Sequence, residues 1–238
     1  MIGSRNAILF DTLGGAYTAL TEHALWAKQN QELAKHWGEL GPSATVLELG
    51  PGTGIGTLAL EKHLPPGARI IGVDIVPAMV ARAKRRLERA DLPATRVEFR
   101  VGDATALSEV ASNSVHAVVA NSFLYLVPEP AKVLAEIHRV LAPGGRVVFM
   151  EPCAEVDWLA TVRCGVSHAG VVVRDPVASG QLLAAMTAWF VAGSFVGRRS
   201  RGELTQLFRD AGFDKVEFKL TLSGLGQHVI AQRSSSDC

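Results

Sequence analysis

Cysteine is scarce: Cys153, Cys164 and Cys238 are the three thiols in 238 residues. They are odd in number and form no C-x-x-C pair, which argues against a disulfide framework or a zinc cluster of that kind. Two small hydrophobes and a tail thiol is the plainer reading. Charge imbalance is missing too. Twenty-four Lys and Arg face 23 Asp and Glu, with no long single-sign run and no basic stripe interleaved with aromatics, so a nucleic-acid partner is not expected. The opening MIGSRNAILFD lacks the continuous apolar core of a secretory signal, and Gly3 is not placed for myristoylation, so the cytoplasm is the expected location. No internal repeat, low-complexity block or linker divides the chain, and with 48% hydrophobic residues one well-buried domain is expected.

What is present is alternation. Residues 17 to 37 carry apolar side chains at helical spacing (Leu20, Ala24, Ala27, Leu33, Trp37) and stop at Gly41-Pro42, giving an N-terminal helical segment within 1–43. ATVLELG reads as a strand, GIGTLALEKHL as a helix, RIIGVD as a strand and PAMVARAKRRLERA as a helix opened by Pro77. RVEFRVGD and SVHAVVAN add two strands. PAKVLAEIHRVLAPGG follows as an amphipathic helix with a Pro-Gly-Gly stop, and RVVFMEP is a fifth strand closing a core at 44–152. Residues 153–200 form an apolar insertion. Residues 201–233 supply a last helix and two runs, KVEFKLTL and GQHVIAQR, that pair as a hairpin, and 234–238 is a tail. The expected fold is α/β, Rossmann-like and doubly wound: a mostly parallel seven-stranded sheet with an antiparallel final strand and helices on both faces.

The first β-to-α turn, ELGPGTG, holds Gly50, Gly52, Gly54 and Gly56 at alternate positions. In an open parallel sheet this turn meets the ligand, and glycine lets the main chain come close to it. The dinucleotide pattern G-x-G-x-x-G is not satisfied, because Ile55 or Thr57 stands where its third glycine belongs. Asp74 closes the second strand 20 positions beyond Gly54, where a carboxylate can accept both hydrogen bonds of a vicinal ribose diol. The glycines could instead serve helix-to-strand packing, and Asp74 and Asp103 could be strand-end caps.

LELGPGTG, GVDIVPAM, VGDATAL and the block ANSFLYLVPEPAKVLAEIHRVLAPGGRVVF, in this order and spacing, resemble the class I S-adenosylmethionine-dependent methyltransferases of small-molecule type, over roughly residues 44 to 152. The resemblance implies S-adenosyl-L-methionine as cofactor, S-adenosyl-L-homocysteine as product and no metal. It implies cofactor contacts from Glu48, Gly50, Gly52, Gly54, Asp74, Ile75, Met79, Asp103, Ala104 and Asn121, with Asp74 on the ribose and Asp103 on the adenine amino group. Glu48 suits the ammonium of the amino-acid part. Tyr17 falls where N-terminal aromatics of the family cover the cofactor, although a core tyrosine fits equally. Met79 packs beneath the cofactor or in the core.

Methyl transfer from a sulfonium is an in-line displacement that depends on alignment, so a general base is needed only when the acceptor's nucleophile carries a proton. His23, Glu151, Asp157 and His168 are the candidates, none backed by a motif. The [DN]-P-P-[YF] signature for exocyclic amines of bases is replaced by NSFL. From Pro176 to Gly197 there is no charged residue. A lid over an apolar acceptor site, carrying Met186, Trp189 and Phe190, is the first reading of this stretch, an interfacial membrane contact the second and a span the third, while packing against a second subunit is an alternative to the lid. The acceptor is expected to be a hydrophobic small molecule. The basic GRRSR at 197–201 either meets an acidic acceptor group or lipid heads, or is a solvated helix start. A non-catalytic protein that binds S-adenosylmethionine and a nicotinamide-dependent oxidoreductase stay open as alternatives.

Overall fold

Alternation of buried strands with amphipathic helices places the chain's elements, seen here in a computed structural model that describes residues 24–156 and 197–235. Helix α1 (Ala24–Ala34) precedes β1 (Thr45–Leu49), whose five residues are all buried. Then come α2 (Ile55–Glu61), β2 (Arg69–Asp74), α3 (Pro77–Arg89), β3 (Val97–Val101), β4 (Val115–Asn121), α4 (Pro130–Val140) and β5 (Leu141–Pro152). Helix α5 (Arg201–Asp210), β6 (Phe213–Thr221) and β7 (Gly226–Arg233) complete the described elements.

The seven strands form one sheet in the order β3-β2-β1-β4-β5-β7-β6, with β7 antiparallel to both neighbours and the other pairs parallel. Alternate side chains of each strand serve opposite faces. Leu47 and Leu49 of β1 join Val118, Phe149, Leu134, Ile137, Leu204 and Phe208 beneath α4 and α5. Val46 joins Leu33, Leu60, Ile70, Val119 and Val148 beneath α1 and α2. Val80, Ala83 and Leu87 of α3 pack on Val97 and Phe99.

One boundary differs from the sequence reading. Helix α4 ends at Val140, before the Pro-Gly-Gly stop, because Leu141 turns extended (φ −72°, ψ 130°) and pairs with Val115. Ala142 precedes Pro143, which disfavours helical backbone there. The closing hairpin forms at one edge of the sheet as an antiparallel element, as expected, with β7 against β5 and β6 outermost. Composition explains the choice. β7 is buried at seven of its eight positions, whereas β6 exposes Asp214, Lys215, Glu217 and Lys219, charges that suit an unpaired edge.

Gly72, in the middle of β2, exists without a side chain because an added Cβ would lie 2.7 Å from the Phe99 ring and 3.1 Å from Pro51. Gly72→Ala is expected to lower the unfolding free energy by roughly 1–3 kcal/mol, the cost of overpacking a filled site. Urea unfolding with an unchanged m-value would show it, and an unaltered midpoint would refute it.

Candidate functional site

The strand order reverses between β1 and β4, because β2 and β3 build outward from one side of β1 and β4 and β5 from the other. Side by side, these two strands leave a crevice beyond their carboxyl ends, where open α/β sheets bind ligands. The glycine turn falls there. The Gly50 N–H donates to the carbonyl of Val73 (2.9 Å), binding the turn to β2. Gly50 has φ +65°, and an added Cβ would lie 2.8 Å from the Phe123 ring, so a side chain is excluded on both counts.

Asp74 joins three pieces of backbone. Its Oδ2 accepts the Gly52 N–H (3.0 Å) and its Oδ1 the Val76 N–H (2.9 Å), so one carboxylate fixes both the glycine turn and the start of α3. Its own carbonyl accepts from Gly102 N–H (3.0 Å), fixing the turn after β3. A carboxylate offers about four acceptor positions. Two are occupied by these N–H groups, and two remain, one on each oxygen. Burial raises the Asp74 pKa, against the lowering effect of the Val76 and Gly52 N–H bonds.

These groups line a cavity of about 270 Å³. Of the residues singled out from sequence, Gly50, Gly52, Asp74, Ile75, Met79, Asp103 and Ala104 reach it. Ile75 is 52% exposed, an apolar side chain left open at the rim. Asp103 Oδ1 accepts from the Thr105 N–H and hydroxyl, both at 2.8 Å, and no described residue donates to its other oxygen. Glu48, Gly54 and Asn121 do not line the cavity. Gly54 lies deeper, against Ala83 and Phe99, and the side-chain carbonyl of Asn121 accepts from the Ser122 hydroxyl (3.3 Å). Glu48 sits behind the turn, 3% exposed, with Oε2 unpartnered among the described residues. Burial, reinforced by the nearby charge of Asp74, pushes its pKa up to about 7.

Sequence reasoning missed one wall of the cavity, Ser122, Phe123, Leu126, Val127, Pro128 and Glu129. This segment includes the 3₁₀ turn Leu124–Leu126 directly after β4. The topological signal was available, since β4 abuts β1, but the residues carry no polar pattern. Glu151, a candidate base from sequence, holds this wall. Its Oε1 accepts the N–H groups of Phe123 (3.1 Å) and Leu124 (2.7 Å), and its Oε2 that of Tyr125 (3.0 Å). Burial pushes its pKa up to about 7, opposed by those three N–H bonds and more weakly by the Arg199 charge. Tyr17, His23, Asp157, His168, Met186, Trp189 and Phe190 lie outside the described residues, as do Cys164, Cys238 and the apolar stretch up to residue 196. Among the described residues no set of three or more His, Cys, Asp or Glu is close enough to hold a metal, and no helix is long and apolar enough to cross a membrane.

Residues 47–149 match a family model described as a methyltransferase domain. The chain is 30% identical over 223 residues to the demethylmenaquinone methyltransferase of Lactiplantibacillus plantarum, covering 89% of this chain and 88% of that protein. It is 37% identical over 117 residues to the arsenite methyltransferase of Halobacterium salinarum, covering 49% of this chain and 29% of that one. The chain thus spans less than a third of this second relative, and it spans 48% of a further curated relative. Its fold is similar to that of a geranyl diphosphate methyltransferase solved with S-adenosylmethionine, with a TM-score of 0.60 and 18% identity over 87% of this chain and 85% of that one.

A buried carboxyl that titrates near 7 leaves a mark on stability. The folded pKa of Glu151 lies above its ordinary value of 4.5, so the folded protein holds more protons than the unfolded chain between these values. Its contribution is full below about pH 4.5 and is lost as pH rises through about 7. Glu151→Gln, which cannot titrate, is expected to remove this slope. The unfolding free energy of the wild type should fall relative to the variant by up to about 3 kcal/mol between pH 4.5 and 8, measured by urea unfolding. Parallel pH curves would refute the assignment.

Proposed function

Because this chain belongs to the class I S-adenosylmethionine-dependent methyltransferases, we propose that it transfers a methyl group to a hydrophobic small-molecule acceptor such as a natural product, quinone, lipid or aromatic metabolite. The observation that carries the reading is the Asp74 bridge. It sits at the strand-order reversal with two acceptor positions left, the requirement of a ribose diol. The unpartnered Oε2 of Glu48 supplies a second fit, since a buried carboxylate behind the glycine turn suits an ammonium held directly or through water. The open oxygen of Asp103 suits the amino group of an adenine, and Ile75 and Met79 give its ring apolar walls.

The bound cofactor supplies the methyl group on a sulfonium. What the chain contributes is alignment and exclusion of water. Glu151 holds Phe123, Leu124 and Tyr125 by their N–H groups, so we assign it to shaping the wall and not to taking a proton from the acceptor. The apolar side chains of Phe123, Leu126 and Val127 on that wall favour a hydrophobic acceptor. The uncharged stretch 176–197, with Met186, Trp189 and Phe190, supports the same view, as does the similarity to a demethylmenaquinone methyltransferase.

Calorimetric titration with S-adenosylmethionine, S-adenosylhomocysteine and NAD tests the cofactor. The first two should bind, and Asp74→Ala should weaken them roughly 30-fold or more, the loss of charge-assisted hydrogen bonds. NAD binding in their place, or indifference to the substitution, would overturn the assignment. Cofactor binding without methyl transfer to a panel of apolar acceptors would instead favour a non-catalytic binding protein.

A further inference from the structure

A second cavity, of about 480 Å³, opens where the carboxyl end of β5 meets the start of β7, lined from Cys153 onward directly after the Glu151 segment. Among the described residues its walls include Cys153, Glu155, Arg201, Leu220 and Gln227. Arg201, the first residue of α5, is exposed, but its guanidinium makes two contacts with the sheet. Its Nε–H donates to Oε1 of Gln227 (3.1 Å), an amide only 1% exposed, and its central carbon stands 5.7 Å from the centre of the Phe218 ring. Those two contacts tether the guanidinium beside Gln227 and Phe218. Its terminal nitrogens donate to no described residue, so a flat two-pronged donor is held ready at the cavity wall.

The surroundings reinforce one sign of charge. Arg201 and Arg198 both act electrostatically on the Cys153 thiol, although only Arg201 of the two lines the cavity, and Glu155 is the exposed acid among the lining residues. Arg199 points elsewhere and donates to the Leu124 carbonyl (3.2 Å). The end of α5 does not provide the site by itself, because Ser200 and Glu203 already cap its first turn. On the same cavity Leu220 is 60% exposed, a large apolar side chain beside a tethered cation.

We propose that this cavity binds the oxyanion end group, a carboxylate or phosphate, of an amphiphilic acceptor, with Arg201 as the specificity-determining residue. The proposal rests on the methyl-transfer reading. It narrows the acceptor from apolar molecules in general to those with an ionised end. Paired N–H groups of one guanidinium match two oxygens of such a group, and the apolar chain would run past Leu220.

The experiment titrates octyl phosphate, octanoate and octanol into the full chain saturated with S-adenosylhomocysteine. The two anions should bind about tenfold or more tightly than octanol, a difference of about 1.4 kcal/mol. Arg201→Gln should bring them to the level of octanol, leaving octanol and S-adenosylhomocysteine unaffected, and Gln227→Leu, which frees the guanidinium, should give a partial loss. The stronger of the two anions names the end group. Equal binding of octanol and the anions, no binding of any amphiphile, or an Arg201→Gln protein that keeps its anion affinity would overturn the proposal while the methyl-transfer reading stands. Failure to bind S-adenosylhomocysteine would overturn that reading instead, and the acceptor assignment with it.

Discussion

One carboxylate ties the working end of the sheet together. Asp74 closes β2, accepts an N–H from the glycine turn after β1 and another from the residue that precedes α3, and its carbonyl receives the turn after β3. Three loops that carry the cofactor cavity thus share one residue, which is itself set by the register of β2 between β1 and β3. Neutral alternatives would leave one of the two N–H groups without an acceptor in a half-buried place, at a cost of about 1–3 kcal/mol. The ligand-facing oxygens and the scaffold-facing oxygens are the same two atoms.

The site also concentrates charge where it is poorly solvated. Glu48 on β1 and Glu151 on β5, separated by β4, are both nearly inaccessible, and burial moves both toward neutrality near physiological pH. They differ in company. Glu151 gathers three backbone N–H groups and shapes a wall, whereas one oxygen of Glu48 has no described partner. A buried acid bonded to three N–H groups organises backbone, whereas a buried oxygen without a partner costs free energy in the folded protein.

Much of this was legible in the sequence for a physical reason. Strands buried on both faces read as continuous apolar runs, the glycine turn is distinctive, and Asp74 and Asp103 stand at strand ends that must face one crevice. The wall from Ser122 to Glu129 was not legible, because a site built from backbone direction and apolar side chains leaves no pattern in residue types. Glu151 illustrates the converse. Its chemistry is that of a base, and only the positions of three N–H groups reveal what it holds. The placement of β7 within the sheet escaped as well, since a hairpin's pairing says nothing about which of its strands meets the neighbour, although the charges of β6 could have suggested the edge.

That placement has a consequence for biogenesis. The strand Gly226–Arg233 fills a gap between β5 and β6, so β5 has no second neighbour until a segment more than 70 residues beyond it has been made. Until then the nascent sheet ends on β5, whose Val147, Val148 and Phe149 form an apolar, flat and unpaired border. The cofactor half, from β3 to β5, can assemble early and fold around its ligand while the other half is still missing. The exposure of that border to wrong partners is then set by how quickly this eight-residue strand arrives, so the most distant pairing in the sequence guards the middle of the sheet.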